Sequence, residues 1–493
     1  MNTLEKTQSA QVEEAGGQSP SEGSGLSEQH QAYLLQRHGT LDLDPVPSMD
    51  PADPYNWPSW KKTVNLALVA FHACMGTFTA AAIIPAYEEI AEDVGVSIQR
   101  VSYLTSLQIA ILGAAPLLWK PLSHRFGRRL IFLLSLVLSC VCNIGCAKSP
   151  DYASMAACRA LVAFFISPAM ALGSAVVMES FFSHQRARYM GVWTVMVTLG
   201  VPIGPFIFGF VAERVGYRWI YWILAITNAC QLALYIFFGP ETRYIGPSSS
   251  SFKREYLTVA RIDPTPFTIT EFLHPLSLFT NIPVLLAAVA YSMVFLFASV
   301  LNSVEVPQLL QQKFALNAEQ LGLQFLGLII GSLIGEQMGG YMSDLWMNIR
   351  ARRIHTHPPP EFRLWLSYFG FLVTIAGMVV FLVCTEQAAQ GRWVVSPIVG
   401  TGVAAFGNQV VTTVLTTYAV DIYPRDAGSV GVFINFVRST WGFIGPFWFT
   451  SMFESVGIAN SSGVVAALIM GASFLPTAFL HWQGHRWRDA ELK

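Results

Sequence analysis

Twelve long apolar stretches, spaced along nearly the whole chain, leave very few folds open. Six run near 63–85, 101–119, 130–147, 153–178, 190–212 and 219–238. After a polar segment from Pro240 to Asn281, six more run near 283–305, 318–341, 363–384, 394–418, 429–452 and 463–482. A helix needs about 20 mostly apolar residues to cross the hydrocarbon core of a bilayer. Backbone groups find no water partners there, so the stretches predict helices and exclude open strands. Hydrophobic residues make up 53% of the chain and charged residues 12%, against roughly 25% charged in soluble domains. Such a chain cannot cover its own surface with polar groups. The expected fold is an all-α membrane protein, with twelve transmembrane helices in two six-helix pseudo-repeats and the lipid bilayer as its solvent.

The same reading divides the chain. Residues 1–50, rich in Ser, Glu, Gln and Gly, are expected to form a disordered tail. A six-helix bundle over 51–239, a linker over 240–282, a second bundle over 283–482 and a short tail over 483–493 follow. The first apolar run begins well into the chain, with no basic region feeding a short apolar core, so the first helix is expected to act as an uncleaved insertion signal. With the N-terminus inside, the short inner loops carry Lys120, Arg125, Arg128, Arg129, Arg186, Arg188, Arg350, Arg352, Arg353 and Arg425, more cations than the outer ones. Both termini and the linker are then cytosolic, and the plasma membrane is the expected location. Asn460-Ser461-Ser462 is a glycosylation sequon on a predicted outer loop.

Several function classes fall away. A net charge of −1 gives no reason to expect a nucleic-acid partner. The seven cysteines lie in or beside apolar runs without zinc-site surroundings and read as free thiols. No nucleophile–base motif, phosphate loop or His/Cys cluster points to an enzyme, to ATP as the drive, or to any metal or cofactor.

The charged residues concentrate at hairpins. Lys120-Pro121-Leu122-Ser123-His124-Arg125-Phe126-Gly127-Arg128-Arg129 joins the second and third runs. In the second half, Gly339-Gly340-Tyr341-Met342-Ser343-Asp344, followed by Arg350, Arg352 and Arg353, takes the same place. Glu179 ends the fourth run and Asp421 the tenth, each just before an aromatic and an arginine-bearing inner loop. The folding of antiparallel helices brings Arg128 and Arg129 toward Glu179. Paired halves of this kind build alternating-access transporters, with a substrate site near the midplane between them.

These stretches resemble the loop signature of the major facilitator superfamily, Gly-x-Leu-Ala-Asp-Arg-x-Gly-Arg-Arg. Asp50-Pro51-Ala52-Asp53-Pro54-Tyr55-Asn56-Trp57-Pro58, Tyr217-Arg218-Trp219-Ile220-Tyr221-Trp222 and Pro240-Glu241-Thr242-Arg243-Tyr244 look like the punctuation of its fungal twelve-helix drug:proton antiporters. The resemblance covers about residues 50–482. It implies the major facilitator fold and a gating charge relay on Gly127, Arg128, Arg129 and Glu179, with Gly340, Asp344 and Asp421 in the second half. His124 stands where the loop usually has Asp, and Lys120 where it usually has Gly, which implies a pH-sensitive or weaker latch. Gly200, Gly204, Pro205 and Gly209 match the family's helix-five antiporter pattern, with Phe208 in place of a glycine. Arg159 matches a helix-four arginine assigned to proton transfer. Glu336 and Arg438 are further intramembrane charges, candidates for proton coupling or for lining the cavity.

The function this implies is a monomeric, proton-coupled exporter of small organic compounds such as drugs, toxins or secondary metabolites, working by alternating access. A proton-coupled importer of a small organic or cationic nutrient is the alternative, and the direction of flux separates the two. A membrane receptor or membrane-bound enzyme is a third class, against which twelve spans in two similar halves argue.

Overall fold

The computed structural model describes residues 26–244, 246, 256, 261–354, 358–423 and 426–491. Among them every regular element is helical. The first half contains α1 (Ser59–Ala81), α2 (Ile98–Ala114 continued by Pro116–Phe126), α3 (Arg128–Lys148), α4 (Tyr152–Ser180), α5 (Ser183–Val215) and α6 (Arg218–Phe238). The second contains α7 (Ile282–Glu305), α8 (Ala318–Ile354), α9 (Pro360–Gln387), α10 (Ser396–Ile422), α11 (Ala427–Ile444 continued by Pro446–Val456) and α12 (Ile458–Trp487). Ten passages are long and apolar enough to cross a membrane, and α2, bent by 44°, makes an eleventh. Pro116 causes that bend, because it cannot donate the hydrogen bond that would continue the first piece. The twelfth, α11, carries Asn435 and Arg438 in its interior and is not among them.

Three sequence expectations change. The helix Glu28–His38, capped by Ser27 and closed by Gly39 at φ 74°, lies within the tail expected to be disordered. Leu34 and Leu43 pack on Phe182, and Arg37 donates to the Asn56 carbonyl at 2.6 Å, so two well-placed leucines and one arginine fold a segment of unpromising composition. Residues 1–25 lie outside the described residues. Next, α8 continues to Ile354, so Arg350, Arg352 and Arg353 stand on a helix, not a loop. Finally, Gly457 alone separates α11 from α12, so the loop expected to present Asn460 does not exist. Asn460 sits in the first turn of α12 and donates to the Val456 carbonyl at 3.0 Å.

Glycines set several helix contacts. Gly331 and Gly335 let α8 lie against α10; a Cβ at Gly335 would stand 2.7 Å from the Phe406 carbonyl. An even number of passages returns the chain to the face where it began, here called the terminal face. The two halves meet mostly at the opposite end. There Arg214 pairs with Glu319 at 2.9 Å, Gln311 bonds Glu88, and the Ala318 amide donates to Glu213 at 3.1 Å. Gln99 donates to the Pro446 carbonyl at 2.7 Å and accepts from Thr450 at 2.8 Å. At the terminal face, the polar contacts between the two bundles are those of Lys120, among the described residues.

Candidate gating and coupling site

The hairpin between α2 and α3 is a turn at Gly127, whose φ of 87° favours glycine. The turn aims Arg128 along the start of α3 toward the end of α4. Arg128 is buried and pairs with Glu179 at 2.9 Å, and its other Nη bonds the Ser123 hydroxyl. Thr242 Oγ1 donates to Glu179 at 2.7 Å. Glu241 caps α3: its two carboxylate oxygens accept the amides of Arg128 and Arg129, each at 2.9 Å. Burial pushes the Glu241 carboxyl up, while the amides of Arg243, Arg128 and Arg129 pull it down. Arg129 caps the other partner. It donates to the carbonyls of Tyr235 (2.6 Å), Ile236 (3.0 Å) and Gly239 at the end of α6, where free carbonyls and the helix dipole favour a cation. The Pro240-Glu241-Thr242-Arg243 segment is thus a working part of the charge cluster and not mere punctuation.

The second half repeats the arrangement with a different cation. Arg363, at the start of α9, lies 3.6 Å from Asp421 at the end of α10 and 3.7 Å from Asp344 on α8, and donates to Ser343 Oγ at 2.6 Å. Arg363, Asp421 and Ser343 therefore take the places of Arg128, Glu179 and Ser123. Arg350, Arg352 and Arg353, which the sequence offers as the counterparts, lie beyond this cluster on the extended α8. Gly340 faces open space, whereas its neighbour Gly339 lies against α10, 3.3 Å from the Val410 Cα for an added Cβ.

The tie between halves runs through Lys120. Its ammonium reaches Asp426 Oδ1 at 3.2 Å and Ser429 Oγ at 2.6 Å, at the first turn of α11. His274 of the linker approaches the other Asp426 oxygen at 3.2 Å. Burial alone would raise the Asp426 carboxyl, but hydrogen bonds from Ser429 and the Lys120 charge outweigh it and hold it below the usual carboxylate value. His124, the expected latch residue, makes no ion pair among the described residues. Arg125 instead holds the linker, pairing with Asp263 at 3.1 Å and Glu271 at 2.7 Å.

The α5 glycines serve two neighbours. Gly200 and Gly204 press on α1: a Cβ would meet the Cys74 carbonyl at 2.5 Å and the Phe78 carbonyl at 2.8 Å. Gly209 presses on the start of α8 in the other half: a Cβ there would stand 2.6 Å from the Ala318 carbonyl and 3.0 Å from the Gly322 Cα, and one at Gly322 would stand 2.8 Å from the Pro205 carbonyl. Phe208 is buried and packs on Phe78 at 5.1 Å, filling the α1 contact that a glycine would leave closer.

The three intramembrane charges sit in different settings. Arg159 is wholly buried inside the first half, so it does not reach the interface by snorkelling. It donates to Gln108 (2.8 Å, α2), the Ala80 carbonyl (3.2 Å, α1) and Tyr221 (3.3 Å, α6), tying four helices. Glu336, midway along α8, accepts from Gln409 of α10 at 2.8 Å, and the same Gln409 nitrogen reaches Thr198 of α5 at 3.3 Å. That chain crosses from one half to the other in mid-span. Arg438 donates to Tyr291 of α7 at 2.8 Å and to Asn435 at 3.0 Å.

A sequence profile described as Major Facilitator Superfamily matches residues 66–446, most of the chain and both halves. The chain belongs to the major facilitator superfamily. It is a multi-pass membrane transporter, acting on small molecules within a lipid bilayer. Among curated major facilitators, efflux pump radE of Floropilus chiversii is 24% identical, covering 89% of this chain and 83% of radE. MFS-type transporter hepF of Aspergillus oryzae is 26% identical (85% and 89%), and probable efflux pump mfs2 of Aspergillus flavus 24% (82% and 96%). The crystal structure of the human organic anion transporter MFSD10 (TETRAN) superposes with a TM-score of 0.58 at 18% identity, covering 85% of this chain and all of that one, and shows the shared fold.

Set on that major facilitator fold, four functional candidates are absent from the motif reading: Lys120 as the cross-half tie, Glu241 as the cap of α3, Arg363, and Thr198 as the partner of Gln409. Arg363 has a sequence signal, since it opens its span in the register at which Arg128 opens α3. The Gln409–Thr198 contact has none, because periodicity does not say which face of a span meets the other half.

Proposed function

We propose that the chain is a proton-coupled exporter of small organic compounds, set in the plasma membrane with the terminal face in the cytosol. The cations gathered at that face support the orientation. The α5 glycines support export: they seal α5 against both α1 and α8 and leave no room for a leak path beside them. Relatives whose names call them efflux pumps point the same way. Contacts concentrated at the opposite end make this the inward-facing state, with the Lys120–Asp426 pair remaining to be made and broken as the halves rock.

The observation that carries the coupling is the Glu336–Gln409–Thr198 chain. Glu336 is a half-buried acid in mid-span, with no cation in ion-pair range among the described residues, and its partner touches the other half. Adding or removing one proton there changes a cross-half contact directly. Arg159 is held by neutral partners within one half and acts as a brace. In reconstituted vesicles, Glu336→Gln should abolish flux driven by a pH gradient while leaving substrate counterflow at least partly intact. Unaltered gradient-driven flux in the variant would remove Glu336 as the proton carrier.

A further inference from the structure

The face of α11 that carries Arg438 lies at the seam between the halves. Thr440, Ile444 and Phe447 share one exposed side of the helix. Gly431, Asn435 and Arg438, spaced by four and three residues, share another side. Asn435 donates to the Leu112 carbonyl of α2 at 3.1 Å, so this side faces the first half, and a Cβ at Gly431 would meet nothing within 4 Å. Arg438 is therefore an incompletely covered cation between the halves, about midway through the membrane.

Its partners are all neutral. Nη1 donates to the Tyr291 hydroxyl and Nε to Asn435 Oδ1, and the guanidinium lies over the Phe295 ring at 4.8 Å and the Tyr291 ring at 5.9 Å. No carboxylate lies within 4 Å of it, and Nη2 and the Tyr291 hydroxyl proton have no acceptor, among the described residues. Arg128 has Glu179 and Arg363 has Asp421; Arg159 lacks an acid but is sealed from any ligand. Just past Phe295, α7 winds as wide π-type turns from Leu296 to Glu305, a form found often at functional sites. A half-buried guanidinium without a counter-charge, at the seam between the halves, is a receptor for an anion, and its planar shape matches a carboxylate.

We propose that Arg438, Tyr291 and Asn435 form a carboxylate-binding subsite, and that the carried compounds are organic acids whose apolar or aromatic body packs on Phe295. The inference rests on reading the chain as an exporter and names its substrate class. Nη2 and the Tyr291 hydroxyl donate to the carboxylate, while Asn435 holds the guanidinium edge-on toward the cleft.

The test uses the unaltered full chain in lipid nanodiscs. Phenylglyoxal labels accessible arginines, and the label at Arg438 is counted by peptide mass spectrometry, with benzoate, benzamide or benzylammonium present. Arg438 should react, Arg159 should not, and benzoate should slow the reaction at Arg438 by about tenfold where benzamide and benzylammonium do not. An unreactive Arg438, equal protection by benzamide, or no protection by benzoate up to its solubility would overturn the subsite. Benzoate protection without proton-gradient-driven flux would keep the subsite and remove the coupling; the reverse pair of results would do the opposite.

Discussion

At the scale of single residues, the proposed inner latch has its charges exchanged. The family's loop carries an acid, which here is His124, and a small residue, which here is Lys120. The ammonium of Lys120 reaches the acid at the start of α11, so the cation comes from the first half and the anion from the second. Lys120→Glu should then weaken transport severalfold, and the exchange Lys120→Glu with Asp426→Lys should recover most of it; a double variant no better than the worse single one would count against a direct tie. The Asp426 carboxyl is held below its ordinary value, so its share of the latch is present above that value and is lost only as pH falls through the lowered one. Between about pH 5 and 7 the latch should therefore not titrate through Asp426. The paired arginines give a second prediction. Arg128→Ala strands Glu179, and Arg363→Ala strands Asp421 beside Asp344, so each should cut transport by about tenfold or more with surface expression intact. Full transport in either variant would deny that half its part in the gate.

At the scale of elements, α5 joins the two halves. Its glycines bring it onto α1 near mid-span and onto α8 at the far end, where Arg214–Glu319 and Glu213 with the Ala318 amide continue the seam. Gly209→Leu would force α5 and α8 apart at the closed end without touching the α1 contact. Transport should fall, and a small membrane-impermeant dye should leak through the variant; an intact rate and a tight seal together would show that the close approach is dispensable. The helices themselves were legible in the sequence, because long apolar runs broken at Pro240–Asn281 admit little else. The Arg128–Glu179 pair was legible because both residues stand at helix ends that antiparallel packing must bring together. Arg363 was hidden because the loop arginines, Arg350 to Arg353, drew the comparison of halves to the wrong register, and the extension of α8 carried them away. The helix Glu28–His38 was hidden because its burial rests on Leu34 alone.

At the scale of the molecule, two bundles are closed together at one end and held by Lys120 at the other. Glu336 sits where Gln409 and Thr198 join the halves, and Arg438 where α7, α11 and α2 meet. The proposed proton site and substrate site, on separate helices at the seam, suit exchange in which loading one resets the other. Those placements were not legible in sequence, since a polar residue in a span faces a partner helix, lipid or the cleft according to packing alone. The most direct test expresses the chain in a yeast-like host lacking its own exporters and follows accumulation of labelled aromatic acids and apolar compounds, with and without a protonophore. The account predicts lower accumulation in expressing cells, restored by the protonophore. Higher accumulation that the protonophore abolishes would contradict it and make this major facilitator an importer.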